Sequence, residues 1–310
     1  MTVAKQLSFS FADRYDVAAT ASILALGHGD PCLKVDGPNR VRMTTLGPEG
    51  AIAVYLKSHS NHVEVTVSGR DSDWVTPRLP SWLGLDFQVP QFEGPLRLRT
   101  LARRFAGLRL IQVPTLFPRL VQLVLQQLVS FQDACDGWRT LVRRYGEPIA
   151  DNDDLFAPPT AAVLARLASH DFISCGILPQ HGHRIIGLAR IARRIESVWD
   201  GGKQDTVDAT CALLAKQRGV GPWTVGYLRG SAMADSDATV LGDYGFPRRV
   251  AYFFSGAEDA DDDDMLRLLD PFRPHRFYVL SLLLKGGPVP PRRGPRATRL
   301  RYRLKPFGGR

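Results

Sequence analysis

Arg218-Gly219-Val220-Gly221-Pro222-Trp223-Thr224, with Asp243 nineteen residues beyond Thr224, is the stretch on which the reading of this chain turns. An apolar run from Thr210 to Gln217 predicts a helix leading into the two glycines. Glycine tolerates positive φ and lets a backbone approach a ligand closely. Proline suits the first turn of a helix, so a second helix is predicted from Pro222. The pattern is therefore helix, Gly-Val-Gly hairpin, helix. Backbone amides of such a hairpin sit at a helix N-terminus, where an anion such as a phosphate is held. Asp243 adds a carboxylate that a bare phosphate-binding hairpin would lack.

Other segments fall in order around it. Phe117-Pro118-Arg119-Leu120 and Leu125-Gln126-Gln127-Leu128-Val129-Ser130 lie upstream, and Pro274-His275-Arg276-Phe277-Tyr278 downstream. With Gly219-Val220-Gly221-Pro222-Trp223-Thr224 and Gly242-Asp243-Tyr244, these resemble the helix-hairpin-helix DNA glycosylases, and among them the AlkA-type 3-methyladenine glycosylases. The resemblance covers about residues 100 to 285. It implies an α+β fold: an N-terminal antiparallel β-sheet domain over residues 1–95, then an all-α helix-hairpin-helix core over 96–285. A basic tail over 286–310 completes the expected organisation.

Composition bounds the rest. The chain has 310 residues, 44% apolar and 23% charged, enough for one large or two medium domains. No apolar run reaches the ~18 residues of a membrane span. Met1 to Phe11 has no long apolar region and does not read as a secretory signal. A monomer in the cytoplasm, associated with the nucleoid and not with a membrane, is expected. The net charge of +9 favours a polyanionic partner. Gly286 to Arg310 holds seven Arg, one Lys and no acid, so +8 of that +9 lies in the tail. This tail is rich in Pro, Gly and Arg, a flexible composition suited to salt-sensitive phosphate contact. Cys32, Cys135, Cys175 and Cys211 are far apart, with neither zinc nor iron–sulfur spacing. Some helix-hairpin-helix glycosylases carry a four-Cys cluster near the C-terminus; with no Cys after Cys211, no iron–sulfur cluster is expected here.

Three predicted strands, Arg40 to Thr45, Ala51 to Lys57 and His62 to Ser68, are separated by turn signals and read as a meander. Tyr15 to Gly27 is predicted as a helix packed on it. From Leu96 the pattern is helical: 119–127, 130–145, 160–169, 182–197 and 206–218. The hairpin helix follows to about Met233, then 245–255, 263–269 and 274–284. Ser130 is placed as an N-cap with Asp133 in the first turn. The acidic run Glu258 to Asp264 reads as a solvated loop and helix start.

The resemblance assigns roles residue by residue. Asp243 would stabilise the positive charge that develops on deoxyribose as a base departs, and orient the attacking water; a helix cap is the plainer role for the same residue. Bifunctional relatives carry a nucleophilic Lys where this chain has Trp223, so strand cleavage through a Schiff base is not expected. An indole face attracts cationic alkylated purines, and a core Trp packing the hairpin is the alternative. Tyr227, one turn on, shares that face. Tyr244 and His275 complete the expected base pocket, His275 standing where the family commonly has a Trp. Gln127 and Leu128 occupy the turn from which relatives insert a side chain into the gap left by an extruded base. Gly219, Val220 and Gly221 would contact the DNA backbone. Carbonyls of Ala215, Gln217 and Val220 would hold a sodium or potassium ion bridging to a phosphate. No other cofactor is expected. The function implied is a monofunctional DNA glycosylase removing alkylated purines from double-stranded DNA in base excision repair. Two alternatives are a non-catalytic protein binding damaged DNA and a glycosylase for a deaminated or oxidised base.

Overall fold

The computed structural model describes residues 4–150, 152–200 and 204–291; most of the basic tail lies outside them. Five strands form one antiparallel sheet: β1 (Lys5–Ser10), β2 (Leu33–Val35), β3 (Arg40–Leu46), β4 (Ala51–His59) and β5 (His62–Ser68), in the order β1-β5-β4-β3-β2. The central three are the predicted meander, each alternating between a buried and a more exposed face. β1 was not predicted, although its Leu7 and Phe9 alternate with polar residues; it returns beside β5 with Leu7 opposite Val65.

The predicted helix over 15–27 is confined to Val17–Ala21. Asp16 caps it by accepting the Ala19 amide at 2.8 Å. Continuation fails because tertiary partners take the backbone groups. The Arg119 guanidinium donates to the Ile23 and Leu24 carbonyls, and the Leu26 amide donates to Asp30. A second correction concerns the all-α core. A hairpin of β6 (Glu147–Ile149) and β7 (Asn152–Ala157) interrupts it and docks on the sheet, with the Phe156 amide donating to Pro31 O at 2.9 Å and Thr44 Oγ1 donating to Phe156 O at 2.8 Å.

The helices that frame the site follow the predicted order with shifted ends. Phe117–Leu125 begins where Glu196 reaches across and accepts the Leu116 and Phe117 amides, at 3.1 and 2.7 Å. Burial pushes that carboxyl up to about 7. Phe131–Tyr145 starts at Ser130, whose hydroxyl accepts the Asp133 amide as predicted. The segment predicted as one helix over 182–197 is two, Pro179–Arg190 and Ala192–Trp199. The helix predicted over 160–169 is a single turn capped by Thr160, and a second helix runs Ser169–Ser174. Gln204–Ala215 and Pro222–Ala232 flank the Gly-Val-Gly hairpin, and Phe246–Ser255, Asp262–Leu269 and Arg276–Gly286 close the fold.

Two buried apolar clusters result. One joins the sheet to the helices from Phe117 through Met233. The other gathers Leu98, Leu110, Val250, Phe253 and the Arg276–Gly286 helix. Trp223 and Tyr227 pack against both. The hairpin helix thus lies along the seam between two cores, which is where a cleft can open without cutting through either. Gly230 lets the helix sit that close: a Cβ there would fall 2.2 Å from the Phe277 ring. None of the helices of the described residues is long and apolar enough to cross a membrane.

Candidate active site and nucleic-acid interface

The hairpin closes with the Val220 amide donating to Gln217 O at 3.1 Å, Gly219 standing at φ +82°. Val225 then donates to Gly221 O and the next helix is under way. Amides of the first turn have no acceptor within the helix, and those of Trp223 and Thr224 face this end. Two side chains brace the hairpin. Gln127 Nε2 donates to Gly219 O and Thr224 Oγ1, both at 2.9 Å, and Arg184 Nη1 donates to Gln127 Oε1 at 2.6 Å. Gln127 is thereby turned inward onto the hairpin and is not the inserted side chain the sequence allowed. Arg184 places a guanidinium beside the amide cluster; an Arg in a helix carries no signal in the sequence that sets it apart.

Leu128 is left free of such contacts. It follows Gln127 at φ +55° and is 88% exposed. A leucine in this conformation costs about 1–2 kcal/mol, and here no burial offsets it. Strain without packing is kept at sites that act on a ligand. Replacing Leu128 with Gly is expected to leave Tm unchanged or slightly raised, while slowing processing of a duplex lesion by about tenfold, since a wedge supports an unstacking worth a few kcal/mol. Thermal melts and single-turnover assays on one preparation check both halves; an unchanged rate would remove Leu128 from the mechanism.

Behind the wedge and hairpin two hollows meet. An outer cleft of about 750 Å³ is bordered by Leu128, Arg184, Gly219, Gly221 and Tyr244. An inner cavity of about 540 Å³ is bordered by Tyr227, Phe246, Phe277, Leu284 and Lys285. Trp223 and Asp243 line both. Asp243 Oδ1 accepts the Gly245 and Phe246 amides at 2.7 and 2.8 Å, so the carboxylate does cap the Phe246–Ser255 helix. Its Oδ2 accepts the Trp223 indole N–H at 2.8 Å. Capping and a place in the cavity are compatible: three donors hold one carboxylate rigidly at the junction.

Aromatic rings build the inner wall. Tyr227 meets Trp223 and Phe246 edge-on, each with centroids 5.5 Å apart. Beneath Tyr227 lies the Arg119 guanidinium, 5.5 Å from the ring centroid. Arg119 is held by Ser231, Gln122 and two backbone carbonyls. Gln122 links it to buried Asp30, which also accepts the Trp138 indole N–H at 2.9 Å. Burial raises the Asp30 carboxyl pKa and lowers that of Arg119.

Two expected pocket residues lie elsewhere. Tyr244 is 78% exposed on the outer cleft, with Arg248 5.7 Å from its ring centroid. His275 lines neither hollow. Its Nδ1 bonds Ser236 Oγ at 2.9 Å, its ring stands edge-on to Phe92, and burial pulls its imidazole pKa down while Asp237 opposes that. His275 precedes the closing helix, whereas Phe277, Ser281, Leu284 and Lys285 recur at helical spacing on the face toward the cavity. A Cβ on Gly221 would meet nothing within 4 Å, and its φ of −99° suits any residue; Gly219 alone requires glycine for its backbone.

Comparison with protein-family models gave no match. A DNA-3-methyladenine glycosylase of Bacillus subtilis is 28% identical over 210 residues, covering 65% of this chain and 68% of that protein. Among solved structures, the fold is similar to a 3-methyladenine DNA glycosylase from Archaeoglobus fulgidus, with TM-score 0.71, 19% identity and coverage of 90% of this chain and 97% of that one. An 8-oxoguanine glycosylase/lyase of Clostridium acetobutylicum is similar with TM-score 0.64 and 11% identity, covering 92% of this chain and 98% of that one. Hairpin, spaced aspartate and fold coincide with a sequence likeness, and what this chain is similar to in both sequence and fold are DNA glycosylases of the 3-methyladenine type.

Proposed function

We propose that this protein is a monofunctional DNA glycosylase that releases damaged purines, alkylated ones among them, from double-stranded DNA in base excision repair. The observation that carries the reading is Asp243, fixed by three N–H donors where the outer cleft meets the aromatic cavity. The hairpin amides and Arg184 would take DNA phosphates, positioning the duplex without reading sequence. A sodium or potassium ion held by the carbonyls of Ala215, Gln217 and Val220 would add a positive charge toward a phosphate there. Each carbonyl has two lone pairs, so the bond Gln217 O accepts from Val220 leaves room for it. Leu128 would fill the gap in the stack, and the extruded base would enter the cavity against Trp223 and Tyr227. The deoxyribose then lies at the junction. As the glycosidic bond breaks, positive charge grows on the sugar, and the Asp243 carboxylate opposes it in a partly dehydrated site.

Incubating duplexes with single defined lesions and scoring abasic-site formation tests the activity. For the monofunctional assignment, borohydride reduction during turnover is expected to give no covalent protein–DNA adduct, because Trp223 stands where bifunctional relatives carry the attacking Lys. A trapped adduct on denaturing gels overturns that assignment while leaving base release intact.

A further inference from the structure

The inner cavity carries more positive charge than a receptor for cationic bases should. Arg119, Arg249 and Lys285 all border it, against the single carboxylate of Asp243. The two arginines are engaged. Arg119 donates to Ser231, Gln122, Ile23 O and Leu24 O. Arg249 donates to the Leu283, Leu284 and Gly287 carbonyls at 3.0–3.5 Å, closing the end of the last helix. Lys285 differs. Among the described residues its Nζ has the Ser22 hydroxyl as partner and no carboxylate at ion-pair distance. Ser22 Oγ donates to Ala19 O at 3.0 Å, so toward Lys285 it accepts. An ammonium has three N–H groups, and two are left for whatever occupies the cavity. Burial pulls the Lys285 pKa down to about 8, with the more distant charge of Asp16 opposing it, which leaves the group mostly charged at neutral pH and without full hydration.

We propose that Lys285 is a specificity-determining residue, tuning the cavity to uncharged purine lesions that offer a ring nitrogen or carbonyl acceptor, such as deaminated purines, and against purines carrying a fixed positive charge from N-alkylation. This rests on the glycosylase reading above and narrows its substrate class. When the C1′–N9 bond breaks, its electron pair passes to N9 and the oxygen of water bonds to C1′. An N-alkylated purine already bears a positive charge, which that electron pair neutralises; it needs no cation beside it and is repelled by one. An uncharged purine departs with developing negative charge. A partly dehydrated ammonium hydrogen-bonded to its acceptor edge opposes that charge where it forms. The lysine keeps its proton throughout, and the proton from water ends on the base or in solvent.

The test compares wild type, Lys285→Met and Lys285→Arg on two duplexes, one with a single hypoxanthine and one with a single 7-methylguanine. Single-turnover base release is measured for each. The expected result is that Met lowers the ratio of hypoxanthine to 7-methylguanine release by about tenfold or more, the scale of one such donor, while Arg restores most of it. Both rates come from one preparation, so a loss of folded fraction cancels in the ratio. An unchanged or raised ratio in the Met variant overturns the assignment of Lys285 with the glycosylase reading intact. A wild-type protein that releases neither base and forms no abasic site on any lesion overturns that reading, and this inference with it.

Discussion

Asp243→Asn is expected to abolish base release and to leave duplex binding near that of wild type. The two functions are separated in space. On the proposed reading phosphate contact falls to the hairpin and Arg184, whereas Asp243 stands behind them, bordering both hollows beside Trp223. Asn preserves the size of the side chain and caps helices as well as Asp does. Its carbonyl oxygen can still accept the Gly245 and Phe246 amides. Its NH₂ would then face the Trp223 N–H, which now bonds Oδ2 at 2.8 Å. Two donors meeting there cost about 1 kcal/mol, a small loss for a folded domain. What disappears is the negative charge opposite the developing positive charge of the sugar, and one such preorganised group is worth on the order of 10²-fold or more in rate. Trp223→Phe serves as the control. It removes the same indole donor while keeping the carboxylate, so it should slow release far less. The measurements are single-turnover release at saturating protein and equilibrium binding to a duplex carrying an uncleavable abasic analogue. An Asn variant that released base at the wild-type rate would falsify the catalytic assignment.

Local spacing was legible; spatial direction was not. The hairpin, the turn at Gln127 and Leu128 and the Ser130 cap each depend on a few adjacent residues whose chemistry is strongly local: a glycine at positive φ, a proline at a first turn, a hydroxyl three residues before an amide. Asp243 and Trp223 came into view because they sit at fixed distances from that hairpin. His275 was misplaced for the opposite reason. A segment that begins a helix shows where the helix starts, but which face it turns to the cavity depends on what the other side packs against. Here every residue from Phe277 to Leu283 is buried, so Phe277, Ser281, Leu284 and Lys285 border the cavity with no local mark of it. Likewise the β6–β7 hairpin carries Pro148 and three consecutive polar residues, Asn152 to Asp154, and lacks the alternation of a strand. Pairing with Pro31 and Thr44, over a hundred residues away, supplies what local pattern does not. The split of Gln127 from Leu128 is the finest case. Adjacent residues in one turn, they take opposite directions because Leu128 adopts positive φ, and a sequence that shows the turn does not show which residue bends it.

The hairpin itself admits a prediction of comparable size, because its two glycines are required for different reasons. Gly219→Val is expected to lower Tm by several degrees and weaken duplex binding at least tenfold. At φ +82° a β-branched residue is strained by about 1–3 kcal/mol. Its Cβ would also fall 2.4 Å from Arg184 Nε and 2.5 Å from its Cδ. Arg184 cannot simply retreat, since moving it breaks the bond to Gln127, and Gln127 holds both Gly219 O and Thr224 Oγ1. One substitution therefore disturbs the hairpin, its brace and the guanidinium beside the amides. Gly221→Ala isolates the remaining effect. Its backbone suits any residue and its added methyl meets no protein atom, so Tm should hold. That methyl nonetheless stands at the N-cap of Pro222–Ala232, in the space a phosphate would occupy against the first-turn amides. Affinity for duplex should fall several-fold with stability intact. Thermal melts paired with binding isotherms across a salt series read both variants. If Gly221→Ala bound duplex as well as wild type did, while Gly219→Val lost affinity only in proportion to its folded fraction, phosphate recognition would have to lie off the hairpin.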